Sequence, residues 1–318
     1  MTVNLLLTGA TGFIGSRVAA AARERPDVRL RLLSRRAAPP APDAAHVPGD
    51  LADPATLHGC CASADVLVHC AARVDGDPDA VAAVNDLGTR ALVTEAVRSG
   101  VRRIVYVSTA AVHGRGPFRG VRPGEVPVAP VSATSRSRAA AERHVLDAGG
   151  VVLRPHLVYG KGDRWVVPGL LGLLRAVSAT TLTGCDARQS MIDVVTLGRA
   201  TVAAALSGAC APGSVHHVNH PAPVPVPELL AAVGTLAPGP PADGSGAVDV
   251  PTALERAAGS PRALHHLGML TADHWFDDDA FWQEADCSPG PGFPRAFARA
   301  APWYRTFMTG QRAFMASK

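Results

Sequence analysis

The sequence predicts an α/β fold: a doubly wound parallel sheet followed by a smaller, helix-rich C-terminal lobe. Three observations predict it. Short apolar runs suited to strands buried on both faces alternate with helical patterns through the first half of the chain. A glycine-rich turn directly follows the first apolar run. The last third is divided by proline- and glycine-rich segments into shorter elements, which indicates a separate lobe.

The predicted elements follow in chain order. Buried strands are predicted at residues 3–7, 28–33, 66–69, 104–107 and 151–153. Helical patterns lie between them, most clearly at residues 16–24 and 81–99, and a later strand is predicted at 215–218. We therefore divide the chain into a domain of residues 1–165, with a return segment at about 190–220, and a lobe of residues 166–189 and 221–318.

The composition limits the classes of protein and partner. Of 318 residues, 47% are hydrophobic and the mean hydropathy is +0.13, so the chain can bury a large core. A formal net charge of +4 without a dense basic block argues against a nucleic-acid partner. No apolar run reaches the ~18 residues of a membrane span. We therefore expect a cytoplasmic protein that binds no membrane.

The cysteines and histidines predict no metal site. The six cysteines include no pair at Cys-x-x-Cys spacing, so we expect free thiols in a reducing compartment. His216, His217 and His220 follow a strand pattern, in which adjacent side chains face opposite ways. They are therefore not expected to converge on one ion.

The glycine-rich turn carries the strongest chemical signal. Gly9, Gly12 and Gly15 are three residues apart. Gly9 permits a tight turn, Gly12 lets the backbone approach a ligand, and Gly15 lets the following helix pack closely on the strand. A helix that begins at such a turn offers free N–H groups and a positive dipole end to a pyrophosphate. The turn therefore predicts a dinucleotide bound to a Rossmann-type sheet.

The end of the second predicted strand indicates which dinucleotide is bound. NAD sites usually carry an Asp or Glu there, which accepts a hydrogen bond from the ribose 2′-hydroxyl. This chain has Ser34, Arg35 and Arg36 instead. Guanidinium groups pair with phosphate and stay charged at neutral pH. We therefore predict NADP(H) rather than NAD(H) as the cofactor.

An ordered series of motifs resembles the extended short-chain dehydrogenase/reductase family, the NAD-dependent epimerase/dehydratase group. The resemblance runs from the first residues to about residue 200. Its motifs lie at residues 8–15, 49–53, 69–72, 84–89, 107–109, 112–114, 140–142, 153–155 and 158–160.

The resemblance implies roles for particular residues. Asp50 and Leu51 are expected to flank the adenine, and Asn85 to support the sheet near the active site. The residues expected to bind the cofactor are Gly9, Thr11, Gly12, Phe13, Ile14, Gly15, Ser34, Arg35, Arg36, Asp50, Leu51, Ala71, Ala72, Arg73, Arg138 and Pro155.

The resemblance breaks down at the family's catalytic residues. Its members use a Ser or Thr together with a Tyr and a Lys four residues apart on one helix face. The lysine lowers the pKa of the phenol, which exchanges a proton with a carbinol or carbonyl. Thr109 matches the first position. Alignment on Ser137 and Glu142 places Thr134 at the tyrosine and Arg138 at the lysine, and no Tyr-x-x-x-Lys occurs in the chain.

This departure leaves three functions open. The first is an NADP(H)-dependent oxidoreductase acting on a carbonyl or carbinol of a small or medium organic substrate, such as a natural product. His113 or His156 would then supply the proton beside Thr109, Thr134 and Arg138. The second is a redox-neutral dehydratase, cyclase or isomerase in which the hydroxyls and the guanidinium polarise the substrate. The third is a non-catalytic NADP-binding regulator. The resemblance also implies a homodimer formed through a four-helix contact.

Overall fold

The computed structural model describes residues 2–36, 44–236, 246–277 and 279–316. Its strands are β1 (Val3–Thr8), β2 (Val28–Ser34), β3 (Ala44–Pro48), β4 (Val66–His69), β5 (Arg103–Val107), β6 (Phe118–Val121), β7 (Val151–Leu153), β8 (Leu157–Tyr159), β9 (Thr181–Thr183), β10 (Arg188–Gln189), β11 (Met191–Asp193), β12 (Val215–His216), β13 (Val224–Pro225), β14 (Ala247–Asp249) and β15 (His274–Phe276). Its α-helices are α1 (Phe13–Arg23), α2 (Pro78–Ala82), α3 (Gly88–Arg98), α4 (Ala133–Asp147), α5 (Val166–Ala176), α6 (Val194–Leu206), α7 (Val226–Gly234), α8 (Val250–Ala257), α9 (Pro261–Leu270), α10 (Asp279–Glu284) and α11 (Phe293–Ala316).

The central sheet has seven strands in the order β12-β7-β5-β4-β1-β2-β3. Every neighbouring pair in it is parallel. The strand order reverses between β1 and β4, and ligands of open α/β sheets bind at such a reversal, beyond the carboxyl ends of the strands. The prediction of a doubly wound parallel sheet is therefore confirmed.

Strand β1 shows why the apolar runs form buried strands. Leu5, Leu6 and Leu7 are fully buried. Leu5 and Leu7 pack with residues of α1 and α6, whereas Leu6 packs with residues of α3 and α4. Side chains alternate across a strand, so a strand between two helix layers must be apolar at consecutive positions.

The helix predicted at 81–99 is interrupted. Its first segment, α2, begins at Pro78 with the Asp77 carboxylate capping two backbone N–H groups. A π-helical turn at Ala83–Leu87 separates α2 from α3. Gly88 then lies so close to the chain after β3 that a β-carbon there would stand 2.4 Å from the carbonyl oxygen of Leu51. The interruption lets Asn85 reach the active-site helix, as described below.

A second core fills the C-terminal part of the chain. Apolar residues of α5, α7, α8, α9 and α11 pack together there, separately from the two cores on the faces of the central sheet. The small sheet beside it has the order β13-β10-β15-β6. Because β6 belongs to the first half of the chain and pairs with β15, the boundary predicted at residue 165 does not separate the two sheets. The strand predicted at 215–218 is shorter and ends at His216.

The last helix is tied to the turn after β8 by a buried carboxylate. Asp163 accepts hydrogen bonds from the backbone N–H groups of Trp165, Val166 and Val167, at 2.8–2.9 Å, and so caps α5. The Tyr304 hydroxyl donates to the same carboxylate at 2.9 Å and accepts from the Gly160 N–H at 2.8 Å. Residues 160–163 are therefore fixed from two separate parts of the chain.

Candidate active site

The turn between β1 and α1 has the geometry expected of its glycines. Gly9 has φ +74°, and a β-carbon on it would lie 2.6 Å from the amide nitrogen of Ala71. A β-carbon on Gly15 would lie 2.1 Å from the Gly9 carbonyl oxygen, which confirms the predicted close packing of α1. Gly12 precedes α1 without a side-chain cap, so the first N–H groups of the helix meet no capping side chain. This backbone cradle fits a pyrophosphate.

The end of β2 carries positive charge and no carboxylate. Arg35 and Arg36 are exposed, and neither forms an ion pair with the residues that the structure describes. The Ser34 hydroxyl donates to the Arg36 carbonyl at 2.6 Å and so shapes this turn. Beyond β3, Leu51 is buried, and the Asp50 carboxylate accepts from the Ala52 N–H at 2.9 Å.

A buried chain of hydrogen bonds through His69 supports the glycine turn. His69 Nδ1 lies 2.6 Å from the Thr8 hydroxyl, and Nε2 lies 2.9 Å from the Thr89 hydroxyl. Thr89 donates its own proton to the Asn85 carbonyl, and Thr8 accepts the Ala71 N–H. The imidazole is therefore neutral, donating from Nε2 and accepting at Nδ1. Burial, and secondly the charge of Arg138, lower the pKa of His69 to about 3.

Asn85 connects the chain after β4 to α4. Its amide group accepts from the Arg73 N–H at 2.7 Å and donates to the Arg73 carbonyl at 2.8 Å. It also donates to the Ser137 hydroxyl at 3.0 Å. These hydrogen bonds hold residues 71–73 against α4, the helix that carries Thr134 and Arg138. The contact agrees with the supporting role that the family resemblance implies for Asn85.

Thr134 and Arg138 lie one turn apart on α4 and have different surroundings. The Thr134 hydroxyl donates to the Val74 carbonyl at 3.1 Å. The Arg138 guanidinium donates to the Val107 carbonyl and lies 5.2 Å from the centroid of the Tyr106 ring. Arg138 is buried, yet its Nε–H has no partner among the described residues. Buried donors are nearly always paired, so this N–H is available to a bound ligand.

Thr109 and Pro155 follow β5 and β7 at the carboxyl edge of the central sheet. Thr109 follows β5, and its hydroxyl oxygen accepts from the Ala111 N–H at 3.2 Å. The Ala110 N–H donates to the Pro155 carbonyl at 2.8 Å, which joins the ends of β5 and β7. The structure thus brings the glycine turn, residues 71–73, Thr109 and Pro155 to the carboxyl edge of one parallel sheet.

His113 belongs to a buried network rather than to an open cleft. Its Nδ1 lies 3.0 Å from the Pro127 carbonyl, and its Nε2 lies 3.1 Å from His217 Nε2 and 3.3 Å from an Arg154 nitrogen. Arg154 forms two hydrogen bonds, of 2.6 and 3.0 Å, with the Glu142 carboxylate. Burial lowers the pKa of His113. These contacts make His113 part of a buried hydrogen-bond network, and the proton transfer predicted for it stays a prediction.

His156 is partly buried and neutral at physiological pH. Its ring stacks on His274 with centroids 5.5 Å apart, and its Nε2 lies 3.3 Å from Gln189 Oε1. Burial, and then the charge of His274, lower its pKa to about 3. An imidazole with this pKa carries almost no proton at pH 7, so His156 is a poor general acid.

The three tyrosines all lie in the described part of the chain, and all are buried. Tyr106 lies under Arg138 and stacks on His69 with centroids 5.1 Å apart. Tyr159 packs on Phe293 at 5.3 Å, and Tyr304 is bonded to Asp163. None of them supplies the phenol that is missing at Thr134.

The doubly wound parallel sheet and the glycine turn define a Rossmann-type α/β protein. Residues 5–209 match the model of the NAD dependent epimerase/dehydratase family. The chain therefore belongs to this family, whose members are enzymes of the short-chain dehydrogenase/reductase type.

Relatives and solved structures agree with this assignment. A 2-alkyl-3-oxoalkanoate reductase of Stenotrophomonas maltophilia is 31% identical over 256 residues, 73% of this chain and 76% of the relative. A 4-hydroxy-2-methyl-3-oxo-4-farnesyl-3,4-dihydroquinoline-1-oxide ketoreductase of Stigmatella aurantiaca is 30% identical over 237 residues, 70% of each chain. The Bordetella bronchiseptica enzyme WbmH, solved with NAD+, matches the fold with a TM-score of 0.75 and 23% identity, over 96% of this chain and 100% of that one. Within the described residues, no helix is both long enough and apolar enough to span a membrane.

Proposed function

We propose that the protein is an NADP(H)-dependent oxidoreductase acting on a carbonyl or carbinol of a small or medium organic substrate. The cofactor fits the residues present in two independent ways. The glycine turn leaves room and free N–H groups for a pyrophosphate. Arg138 aligns with the family's lysine, and its buried Nε–H, which has no partner among the described residues, would be satisfied by a hydroxyl of the nicotinamide ribose.

Arg35 and Arg36 support NADP(H) over NAD(H). They follow β2, where an NAD site carries its carboxylate, and both are exposed, so their guanidinium groups could pair with a 2′-phosphate. This is the single observation that carries the choice of cofactor. When bound, the nicotinamide supplies or takes the hydride.

The remaining chemistry belongs to three residues. Arg138 would provide a positive charge that holds the ribose and polarises the substrate, since guanidinium groups are poor proton donors and acceptors in catalysis. Thr109 is proposed to orient the substrate oxygen by donating its hydroxyl proton, and Thr134 can do the same only if its hydroxyl turns away from the Val74 carbonyl. A threonine hydroxyl is a much weaker acid than a phenol, so Thr134 relays a solvent proton poorly. We therefore expect slow proton transfer at this site.

The relatives suggest the kind of substrate. Two of them are named as reductases of ketones that carry an alkyl or farnesyl chain. We infer that this chain also acts on a ketone, or the corresponding alcohol, attached to an apolar chain.

The first experiment separates cofactor binding from turnover. NADPH and NADH are titrated against the protein by nicotinamide fluorescence, and NADPH oxidation is then followed with a panel of 2-alkyl-3-oxoalkanoates and other ketones. Tighter binding of NADPH than NADH, together with its oxidation by a member of the panel, supports the proposal. Failure to bind either nucleotide contradicts it.

The missing phenol favours one alternative, a redox-neutral dehydratase, cyclase or isomerase. In that case a substrate is transformed while the total amount of NADPH stays constant. Tight NADPH binding with no substrate transformed would instead indicate a regulator. A cytoplasmic location and a homodimer remain predictions, and light scattering of the purified protein tests the second.

A further inference from the structure

Three potential metal ligands meet at the far edge of the central sheet. They are Cys210, in the loop after α6, His216, on the edge strand β12, and Glu284, at the end of α10. One ligand atom from each lies within 4.8 Å of the other two. Cys210 and His216 are six residues apart, but Glu284 lies 68 positions further along the chain, so sequence spacing does not indicate this cluster.

The cluster combines three different ligand types in a largely closed environment. Cys210 is fully buried, and the side chains of His216 and Glu284 are 8% and 39% exposed. Thiolate, imidazole and carboxylate together are typical ligands of Zn²⁺. We propose that Cys210, His216 and Glu284 bind one Zn²⁺ ion, with a water molecule on the solvent side as the fourth ligand.

One pair of ligand atoms is already near the separation found in a zinc site, and the other two pairs lie within 4.8 Å. In a tetrahedral zinc site, neighbouring ligand atoms are about 3.3–3.6 Å apart. His216 Nε2 already lies 3.8 Å from a Glu284 carboxylate oxygen. The Ser214 hydroxyl lies 2.9 Å from the same Nε2, and zinc binding at this nitrogen replaces that hydrogen bond.

The position in the fold indicates a structural ion. Strand β12 is four strand spacings from β1, or about 19 Å across the sheet from the glycine turn. Two other contacts already join α10 to the segment after α6 and to β12. The Ser207 hydroxyl donates to the Glu284 carbonyl at 2.9 Å, and the Phe281 ring lies 5.3 Å from the His216 ring. A zinc ion here therefore holds α10 and the loop after α6 to the sheet edge.

The test uses the full chain freed of metal with a chelator and then titrated with Zn²⁺ or Co²⁺. We expect about one zinc per chain by mass spectrometry after desalting. Co²⁺ should produce the visible bands of tetrahedral coordination and a thiolate-to-cobalt charge-transfer band. With free zinc at about a hundred times Kd, the Tm should rise by about 5 °C.

Two cysteine variants test whether metal binding depends on Cys210 in particular. Cys210→Ser should lose the charge-transfer band and the zinc-dependent rise in Tm. Cys185→Ser makes the same replacement at a buried thiol of the other core and should keep both. If the Cys210→Ser protein does not fold, Glu284→Gln should still weaken binding at least about 10-fold. Failure to bind stoichiometric metal, or equal binding by wild type, Cys210→Ser and Glu284→Gln, overturns the proposal.

Discussion

Thr134 and Arg138 define the chemistry expected of the site, and restoring the family's pair tests their placement. In the double variant Thr134→Tyr with Arg138→Lys, a phenol beside a lysine can donate a proton. A positioned general acid contributes about 10²–10⁴-fold, so kcat for ketone reduction should rise by at least about 100-fold. Steady-state NADPH oxidation measures this rise.

The matched control replaces Thr134 with phenylalanine in the same Arg138→Lys background. This side chain has the same ring without the hydroxyl. An equal gain in both variants would show that shape, and not a proton donor, limits the reaction.

The two arginines after β2 give a second prediction for single residues. Arg35→Ala with Arg36→Ala should raise the Kd of NADPH about 10- to 100-fold, because charge-assisted bonds to a phosphate are lost. The Kd of NADH should hardly change. Arg29→Ala removes an exposed arginine from the start of the same strand and serves as the control. Equal weakening of both nucleotides would contradict the assignment of the 2′-phosphate site.

Among whole elements, α1 depends most clearly on one glycine. Gly15→Ala places a β-carbon 2.1 Å from the Gly9 carbonyl oxygen, so the helix must move away from the turn. The substitution should reduce the free energy of unfolding by about 3 kcal/mol and weaken nucleotide binding. Chemical denaturation and NADPH titration measure the two effects.

A helical glycine in open space provides the comparison. Gly172 lies inside α5, and a β-carbon there meets nothing within 4 Å. Gly172→Ala should therefore raise the free energy of unfolding by about 0.5–1 kcal/mol through helix propensity. If Gly15→Ala were equally harmless, the close packing of α1 on the turn would be wrong.

The strands were predictable because their side chains are buried on both faces. The strand predicted at 66–69 has the observed bounds of β4, in which three apolar residues are followed by the buried His69. The interruption at Ala83–Leu87 was not predicted, and the contact that it contains, between Asn85 and Ser137, joins residues 52 positions apart. The short strand β6 was missed for a related reason: its partner β15 lies more than 150 residues away in the chain.

The candidate site was predictable only in part. Local sequence specifies the glycine turn, because its geometry depends on residues next to one another. The roles of the histidines depend on burial and on distant partners, which the sequence does not display. His113 lies shortly after the strand predicted at 104–107, but its contacts with Arg154 and His217 follow from the tertiary fold.

For the molecule as a whole, buried neutral histidines predict sensitivity to acid. Burial is the main cause that lowers the pKa values of His69, His156 and His217 from 6.5 to about 3. The unfolded chain therefore binds more protons than the folded chain between about pH 6.5 and about pH 3. The free energy of unfolding should fall as the pH drops below 6.5, by up to about 1.4 kcal/mol per pH unit for each histidine.

Urea denaturation between neutral pH and about pH 5 measures this slope, since ordinary carboxylates stay ionised there. His156→Gln removes one of the three groups and should reduce the slope. The exposed His58 offers a control, because His58→Gln makes the same replacement at a histidine that is not buried. Constant stability over this range would contradict the neutral assignment of the buried imidazoles.

The bond between Asp163 and Tyr304 has a consequence for biosynthesis. The two residues are 141 positions apart, so a nascent chain exposes the carboxylate long before its phenolic donor is made. N-terminal domains generally fold first during translation. The Asp163 carboxylate therefore lacks the Tyr304 hydroxyl as a hydrogen-bond donor during much of translation. The turn at residues 160–163 reaches its final form only after α11 has emerged from the ribosome.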